Sequence, residues 1–210
     1  MLLGAFAEAK VPKHILDIGT GSGVLALMLA QKYELAIITA IDIDETSLID
    51  CSNNFKNSKW SNRMECKYQD IKLFESATLF DLIICNPPFY ENALVGENIR
   101  MNNAKHETSN VLASIFMKAQ KNISEKGLFW IILPFETTEK WIQFAKDNNW
   151  SVSSQITLFS KENQPKRSII SFSLFEDVVL QKTDFIIRDS ENNYTKEYIA
   201  LTKDFHNRPL

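Results

Sequence analysis

The feature that most constrains the fold lies near the start of the chain. Residues His14–Ile18 form a short apolar run, and glycines follow at alternate positions, Gly19, Gly21 and Gly23. Residues 22–32 then carry Val24, Leu25, Leu27, Met28 and Leu29, too apolar for an uncovered helix. Strand, glycine turn and covered helix predict an opening βα unit, whose glycines let a ligand approach the backbone closely. A dinucleotide fingerprint would need its third glycine at position 24, where Val24 stands. Alone, such a loop is weak evidence, because a tight strand–helix turn is the competing reading.

The following segments repeat the pattern. Residues Leu35–Ile41 read as a second buried strand, ending in Asp42, Ile43 and Asp44. An acid at this point, about twenty residues past the loop, can accept from both hydroxyls of a ribose, and Asp42 is the candidate. Asp44, followed by Glu45, Thr46 and Ser47, reads as the N-cap of a helix running to about Asn57. A third strand at Met64–Tyr68 leads into Gln69, Asp70 and Ile71, and a fourth at Phe80–Ile84 into Asn86-Pro87-Pro88-Phe89. All four strand ends are polar or glycine-bearing, and ligands of open α/β sheets bind at that edge.

Beyond Phe89 the chain reads as irregular and polar to about Thr108, with Arg100, Lys105 and His106. Apolar residues at 111, 112, 115, 116 and 119 then mark one helical face. A fifth strand is expected at Leu128–Leu133, a helix at about Thr137–Asn148, and a strand through Trp150, Val152, Ile156 and Leu158. A basic turn with Lys161, Lys166 and Arg167 precedes a last strand, Ser168–Phe175.

The Asn86–Phe89 tetrapeptide carries the chemistry. Pro87 and Pro88 lack backbone N–H groups and restrict the residue before each, which fixes the segment as extended or turned. Two acceptors, the Asn86 side-chain oxygen and a prolyl-segment carbonyl, aimed at one point suit an exocyclic NH2 group. The Phe89 ring suits a flat base or amide stacked above it.

Composition limits the alternatives. The chain has 210 residues, 45% hydrophobic, which predicts one globular domain over residues 1–210 with an ample core. Its 23 basic and 26 acidic residues leave a net charge of -3, so any nucleic-acid surface must be a local patch. Cys51, Cys66 and Cys85 are odd in number and lack C-x-x-C spacing, which argues against disulfides and zinc and for a reduced cytoplasm. His14, His106 and His206 lack partners at metal-ligand spacing, so no metal is expected. No apolar stretch reaches membrane-spanning length, and residues 1–10 do not read as a secretory signal.

The Leu16–Gly23 loop resembles the cofactor loop of class I S-adenosylmethionine-dependent methyltransferases, and Asn-Pro-Pro-Phe the motif of their amino-directed members. The whole chain resembles the bacterial tRNA1(Val) adenine-37 N6-methyltransferases, through those two motifs, through Leu2–Ala7 and through Tyr194–Phe205. Arg100, Ala104 and His106 also fit that family's loop after the motif, and Lys166-Arg167 its late basic turn. The resemblance implies a Rossmann-like α/β three-layer sandwich, with a seven-stranded, mostly parallel sheet and a C-terminal antiparallel hairpin. It implies S-adenosyl-L-methionine as cofactor. Gly19, Gly21, Gly23, Asp42, Ile43, Asp70 and Ile71 would surround it, with Asp17 accepting from its ammonium or ordering the loop.

It further implies Asn86, Pro87, Pro88 and Phe89 as the catalytic group and tRNA, through its anticodon loop, as the partner of a monomeric enzyme. Arg100, Lys105, Lys161, Lys166 and Arg167 would contact the RNA. Family members begin with a further polar and basic segment, which would be missing here, and carry Arg where Lys105 stands. Three other readings compete: a protein-glutamine methyltransferase, a methyltransferase for another nucleic-acid amino group, and an RNA-binding module without activity.

Overall fold

The computed structural model describes residues 1–88, 98–175 and 179–206, with the backbone alone for 98–108. A single eight-stranded sheet runs through it in the order β3-β2-β1-β4-β5-β7-β6-β8. The strands are β1 His14–Ile18, β2 Ile37–Asp42, β3 Met64–Tyr68, β4 Phe80–Cys85, β5 Ile123–Pro134, β6 Ser151–Phe159, β7 Pro165–Ser173 and β8 Gln181–Ile186. Only β7 runs against its neighbours, β5 and β6; the remaining pairs are parallel. The helices are α1 Leu2–Phe6, α2 Val24–Lys32, α3 Glu45–Lys56, α4 Asn98–Asn122, α5 Thr138–Asp147 and α6 Lys196–Thr202.

Successive strand residues point to opposite faces, and the apolar strands feed two cores. On one face Leu16, Ile18, Ile83, Cys85, Phe129 and Ile131 pack with Leu112, Ile115 and Phe116 of α4 and Trp141 and Ile142 of α5. Phe116 sits at its centre, within 5.9 Å of the Phe129, Trp141 and Phe172 rings. On the other face Ile15, Ile38, Ala40, Leu82, Ile84 and Trp130 meet Leu3, Ala26, Leu29, Leu48 and Phe55 from α1, α2 and α3. Each such side chain contributes roughly 1.5–3 kcal/mol on full burial, so the three layers hold together by apolar area.

The expected architecture is present, with β5 starting at Ile123 and β7 at Pro165, earlier than expected, and with two larger differences. The sheet has an eighth strand, β8, beyond the seven foreseen. Five of its six residues are exposed, so no buried alternation marked it. The stretch expected to be irregular to Thr108 is instead helical from Asn98. Residues 98–108 contain neither Gly nor Pro, and the apolar face further along lets α4 propagate back through them. The two ends of the fold meet: Phe6 of α1 packs edge-on against Phe185 of β8 at 5.0 Å, and Gln31 of α2 donates to the Asp204 carbonyl.

Candidate active site

Four strand ends lie level at one edge of the sheet. Ile18 is in register with Ile41 on one side and Cys85 on the other, and Asp42 with Tyr68. The glycine loop leaving Ile18 and the Asn86 segment leaving Cys85 are therefore neighbours, about one strand spacing of 4.8 Å apart. Connections diverge here, β1 leading outward to β2 on one side while β4 leads to β5 on the other, the place where α/β sheets open a crevice.

Backbone bonds fix the loop. Gly19 and Thr20 N–H groups donate to the Ile41 carbonyl at 2.9 and 3.1 Å, and Gly23 N–H to Thr20 at 3.0 Å. Gly19, Gly21 and Gly23 have φ of 69°, 54° and 86°, the left-handed region that favours glycine. A side chain at Gly19 or Gly21 would meet nothing within 4 Å, so their faces border open space. At Gly23 a Cβ would strike Phe55 at 2.6 Å and Cys51 Sγ at 2.8 Å, so this glycine serves packing of α3 beneath the loop.

Two carboxylates hold the loop differently. Asp17 is fully buried, and its Oδ2 accepts from Thr20 Oγ1 at 2.6 Å. Burial pushes its carboxyl up to about 7, against the pull of the Thr20 hydroxyl. Asp42 is half-buried at the loop's rim, where its Oδ2 accepts from Gly21 N–H at 2.7 Å and its Oδ1 from Asp44 N–H at 3.0 Å. Each Asp42 oxygen keeps a lone pair for another donor. Cys85, buried beside both acids, has its thiol pushed well up by desolvation first and by their charge second, so it stays neutral.

The remaining expected cofactor residues continue along the same edge. Ile43 is 64% exposed, an apolar surface next to Asp42. Gln69 N–H donates to the Asp42 carbonyl at 2.8 Å, which brings the end of β3 alongside. Asp70 caps a short 3-10 turn, its Oδ1 accepting from Lys72 N–H at 2.8 Å, and Ile71 is buried beneath. Asp44 is the N-cap expected of it, accepting from Thr46 N–H and Ser47 Oγ.

Asn86 is exposed, Pro87 buried and Pro88 exposed, so the amide stands at the crevice on a segment anchored by one proline. Phe89 lies outside the described residues. Arg100 and Lys105 fall in α4, where only the backbone is described. Lys161 lies in the β6–β7 turn, Lys166 is exposed on β7, and Arg167 is half-buried opposite Pro134. Because β7 is antiparallel, its start lies at the same edge as Asn86, two strand spacings or about 10 Å away laterally. Among the described residues no cluster of His, Cys, Asp and Glu could hold a metal ion, and no helix is long and apolar enough to cross a membrane.

Sequence reasoning passed over Thr20, whose hydroxyl donates to Asp17; its place between two glycines of the loop was the available signal. It also passed over Arg188, which stacks on Tyr194 at the same edge. No periodic pattern pointed to it.

The chain matches the methyltransferase small domain over residues 1–143. It is 35% identical over 207 residues to a tRNA1(Val) (adenine(37)-N6)-methyltransferase of Phocaeicola vulgatus, covering 98% of this chain and 88% of that protein. A protein of the same name from Pseudoalteromonas translucida is also 35% identical, with the same coverage. Among solved structures, a "predicted O-methyltransferase" of Agrobacterium tumefaciens superposes with a TM-score of 0.75 at 16% identity, covering 96% of this chain and 94% of that one. An S-adenosylmethionine-dependent methyltransferase of Clostridium acetobutylicum does so at 0.58 and 15%, over 80% and 86%. Those two likenesses carry the fold, and the near-full-length identities carry the lineage: the chain belongs to the tRNA1(Val) (adenine(37)-N6)-methyltransferase family.

Proposed function

We propose that this chain transfers a methyl group from S-adenosyl-L-methionine to N6 of adenine 37 in tRNA1(Val). The observation that carries the reading is the side-by-side placement of the Gly19–Gly23 loop and Asn86 at the diverging β1–β4 strand ends, in a member of this family. The residues present suit the cofactor. Open space faces Gly19 and Gly21, Asp42 has two acceptor positions left for a diol, and Ile43 offers an apolar surface to a flat ring. Asp70 and Ile71 close the adenine end. Asp17, with its tie to Thr20, acts from beneath the loop.

When bound, S-adenosylmethionine supplies an electrophilic methyl group on a sulfonium. The protein's task is the other partner, because the adenine amino nitrogen has its lone pair delocalised into the ring. Asn86 Oδ1 and the Pro87 carbonyl accept the two N–H bonds, favouring a pyramidal nitrogen with its lone pair directed along the transfer line. Pro88 stiffens this corner, and Phe89 is assigned from the motif to stack on the base. Acceleration comes from positioning and aligned dipoles, without a strong base. The proton leaves the nitrogen afterwards. An anticodon-loop base suits such a site, since loop bases can be splayed out and stacked on aromatics.

Lys161, Lys166 and Arg167, with Arg100 and Lys105 of α4, are proposed to meet RNA phosphates around the crevice. Residues 1–210 act as one methyltransferase domain, monomeric and cytoplasmic. The test is methylation of a tRNA1(Val) transcript by the purified chain, followed by nuclease digestion and mass spectrometry. N6-methyladenosine is expected at position 37 and is lost when adenine 37 is replaced by guanine. Methylation of a protein glutamine or of guanine N2, with adenine 37 untouched, overturns the reading.

A further inference from the structure

The edge that carries Asn86 holds a second built feature, four strands away. β8 runs parallel to β6, with Ile186 in register with Phe159, and the ladder continues as Ile187 N–H donates to Phe159 and Arg188 N–H to Ser160. The chain then reverses through a tight turn. Asp189 and Asn193 exchange bonds, Asn192 takes φ of 72°, and Arg188 and Tyr194 form an antiparallel bridge. The turn sets the Arg188 guanidinium over the Tyr194 ring, 4.0 Å from its centroid. Tyr194 stacks in turn on Tyr198 at 4.5 Å and 10°. Tyr198 is buried at the start of α6, where Thr195 caps its N–H, so the pile has a fixed base.

The top of the pile is only partly engaged. Arg188 Nη1 donates to the Asn192 carbonyl at 2.7 Å. Among the described residues no carboxylate lies within ion-pair distance of Arg188, although Asp189 and Glu191 are close in sequence. Asp189 spends an oxygen on Asn193 N–H, and Glu191 lies by the Asn193 amide. A guanidinium has five N–H donors in a rigid fork that matches two oxygens of a phosphate. Here stacking and one backbone bond have already removed its rotamer freedom, with most of the fork left over.

We propose that the Arg188–Tyr194–Tyr198 stack is a phosphate post that grips the tRNA backbone several nucleotides from the methylated base. This rests on the reading of the chain as a tRNA methyltransferase. Arg188 lies at the same strand edge as Asn86, four spacings or about 19 Å across the sheet. Lys161, Lys166 and Arg167 fill the ground between, on the turn and strand next to it. Glu162, Asp189 and Glu191 share the corner, so it does not act as a broad attractive patch. It holds one phosphate in one place, and thereby sets the angle at which the anticodon arm meets the crevice.

The experiment measures tRNA transcript binding by fluorescence anisotropy across salt concentrations, alongside steady-state methylation, S-adenosylhomocysteine affinity and melting temperature. Arg188→Ala is expected to weaken RNA binding and raise the KM for tRNA roughly tenfold. The cofactor affinity and kcat at saturating tRNA should hold, and the log–log salt slope should fall by about 0.7–1. Arg188→Lys keeps the slope but still weakens binding several-fold, because the flat fork is lost. Lys126→Ala, at the opposite edge of the sheet, changes neither. RNA affinity and salt slope within error of wild type in both Arg188 variants would overturn the post and leave the stack as a tie between β8 and α6. If Arg188→Ala does not fold, Arg188→Lys decides alone: unchanged affinity overturns the proposal. A wild type that binds tRNA without methylating it defeats the functional reading, and the binding data still judge Arg188.

Discussion

Asp42 Oδ2 accepts the Gly21 N–H at 2.7 Å, so the acid proposed to hold the cofactor's ribose also holds the loop proposed to hold its methionine end. Its other oxygen ties down Asp44 N–H at the start of α3. Asp42→Ala therefore removes two protein contacts as well as the two hydroxyl contacts. Charge-assisted hydrogen bonds contribute about 1.5–3 kcal/mol each. A loss of S-adenosylhomocysteine affinity of at least about tenfold is expected by calorimetry. Asp42→Asn, which keeps one acceptor, should lie between. Unchanged binding in Asp42→Ala removes this residue from the cofactor site.

The glycines divide into two kinds, and substitution should separate them. At Gly21 an alanine meets no neighbour, so its cost is the left-handed backbone alone, about 1–2 kcal/mol. The methyl group would, however, stand in the space assigned to the ligand. Gly21→Ala should remain folded with cofactor affinity sharply reduced. Gly23→Ala adds clashes with Phe55 and Cys51 to the same backbone cost, and should be the less stable of the two by urea titration. The reverse order of stabilities would mean that the space beside Gly21 is not open.

Much of this edge is legible in the sequence. Glycine spacing, an acid at the end of β2 and the paired prolines each impose a local conformation, and parallel strands bring their carboxyl ends together without further instruction. Asp44 as an N-cap was legible for the same reason: capping is local chemistry. What escaped depended on distant partners. β8 owes its place to the exposed edge of β6 and bears no apolar alternation of its own. The first turns of α4 borrow stability from the buried half of that helix. Arg188 and Tyr194 are six residues apart, and only the turn at Asp189–Asn193 brings one over the other.

Asp17 gives the stability a distinct pH dependence. Its carboxyl is held at about 7 in the fold against 3.8 when free, with burial the main cause. Between those values the unfolded chain releases a proton that the folded chain keeps. This contribution to stability is therefore complete below pH 3.8 and declines as the pH rises toward 7, by about 1.4 kcal/mol per unit. Asp17→Asn keeps an acceptor for Thr20 and cannot ionise. It should be more stable than wild type at pH 8, with the advantage vanishing near pH 4. Parallel urea midpoints for the two proteins across that range would show that Asp17 ionises as freely in the fold as outside it.

Asn86 supplies the sharpest test of the chemistry. It is exposed at the end of β4, while Pro87 behind it is buried, so the amide can change without disturbing a core. If its oxygen strengthens its hold on the target amine only as the methyl group moves, Asn86→Ala should lower the single-turnover rate on a tRNA transcript. Removing one preorganised group of this type costs roughly 10²–10³ in rate. Affinities for S-adenosylhomocysteine and for tRNA should stay near wild type, because the glycine loop, Asp42, Lys161, Lys166, Arg167 and Arg188 are untouched. Near-normal turnover in Asn86→Ala would reduce the Asn-Pro-Pro-Phe corner to a strand-end turn and move the chemistry elsewhere on the edge.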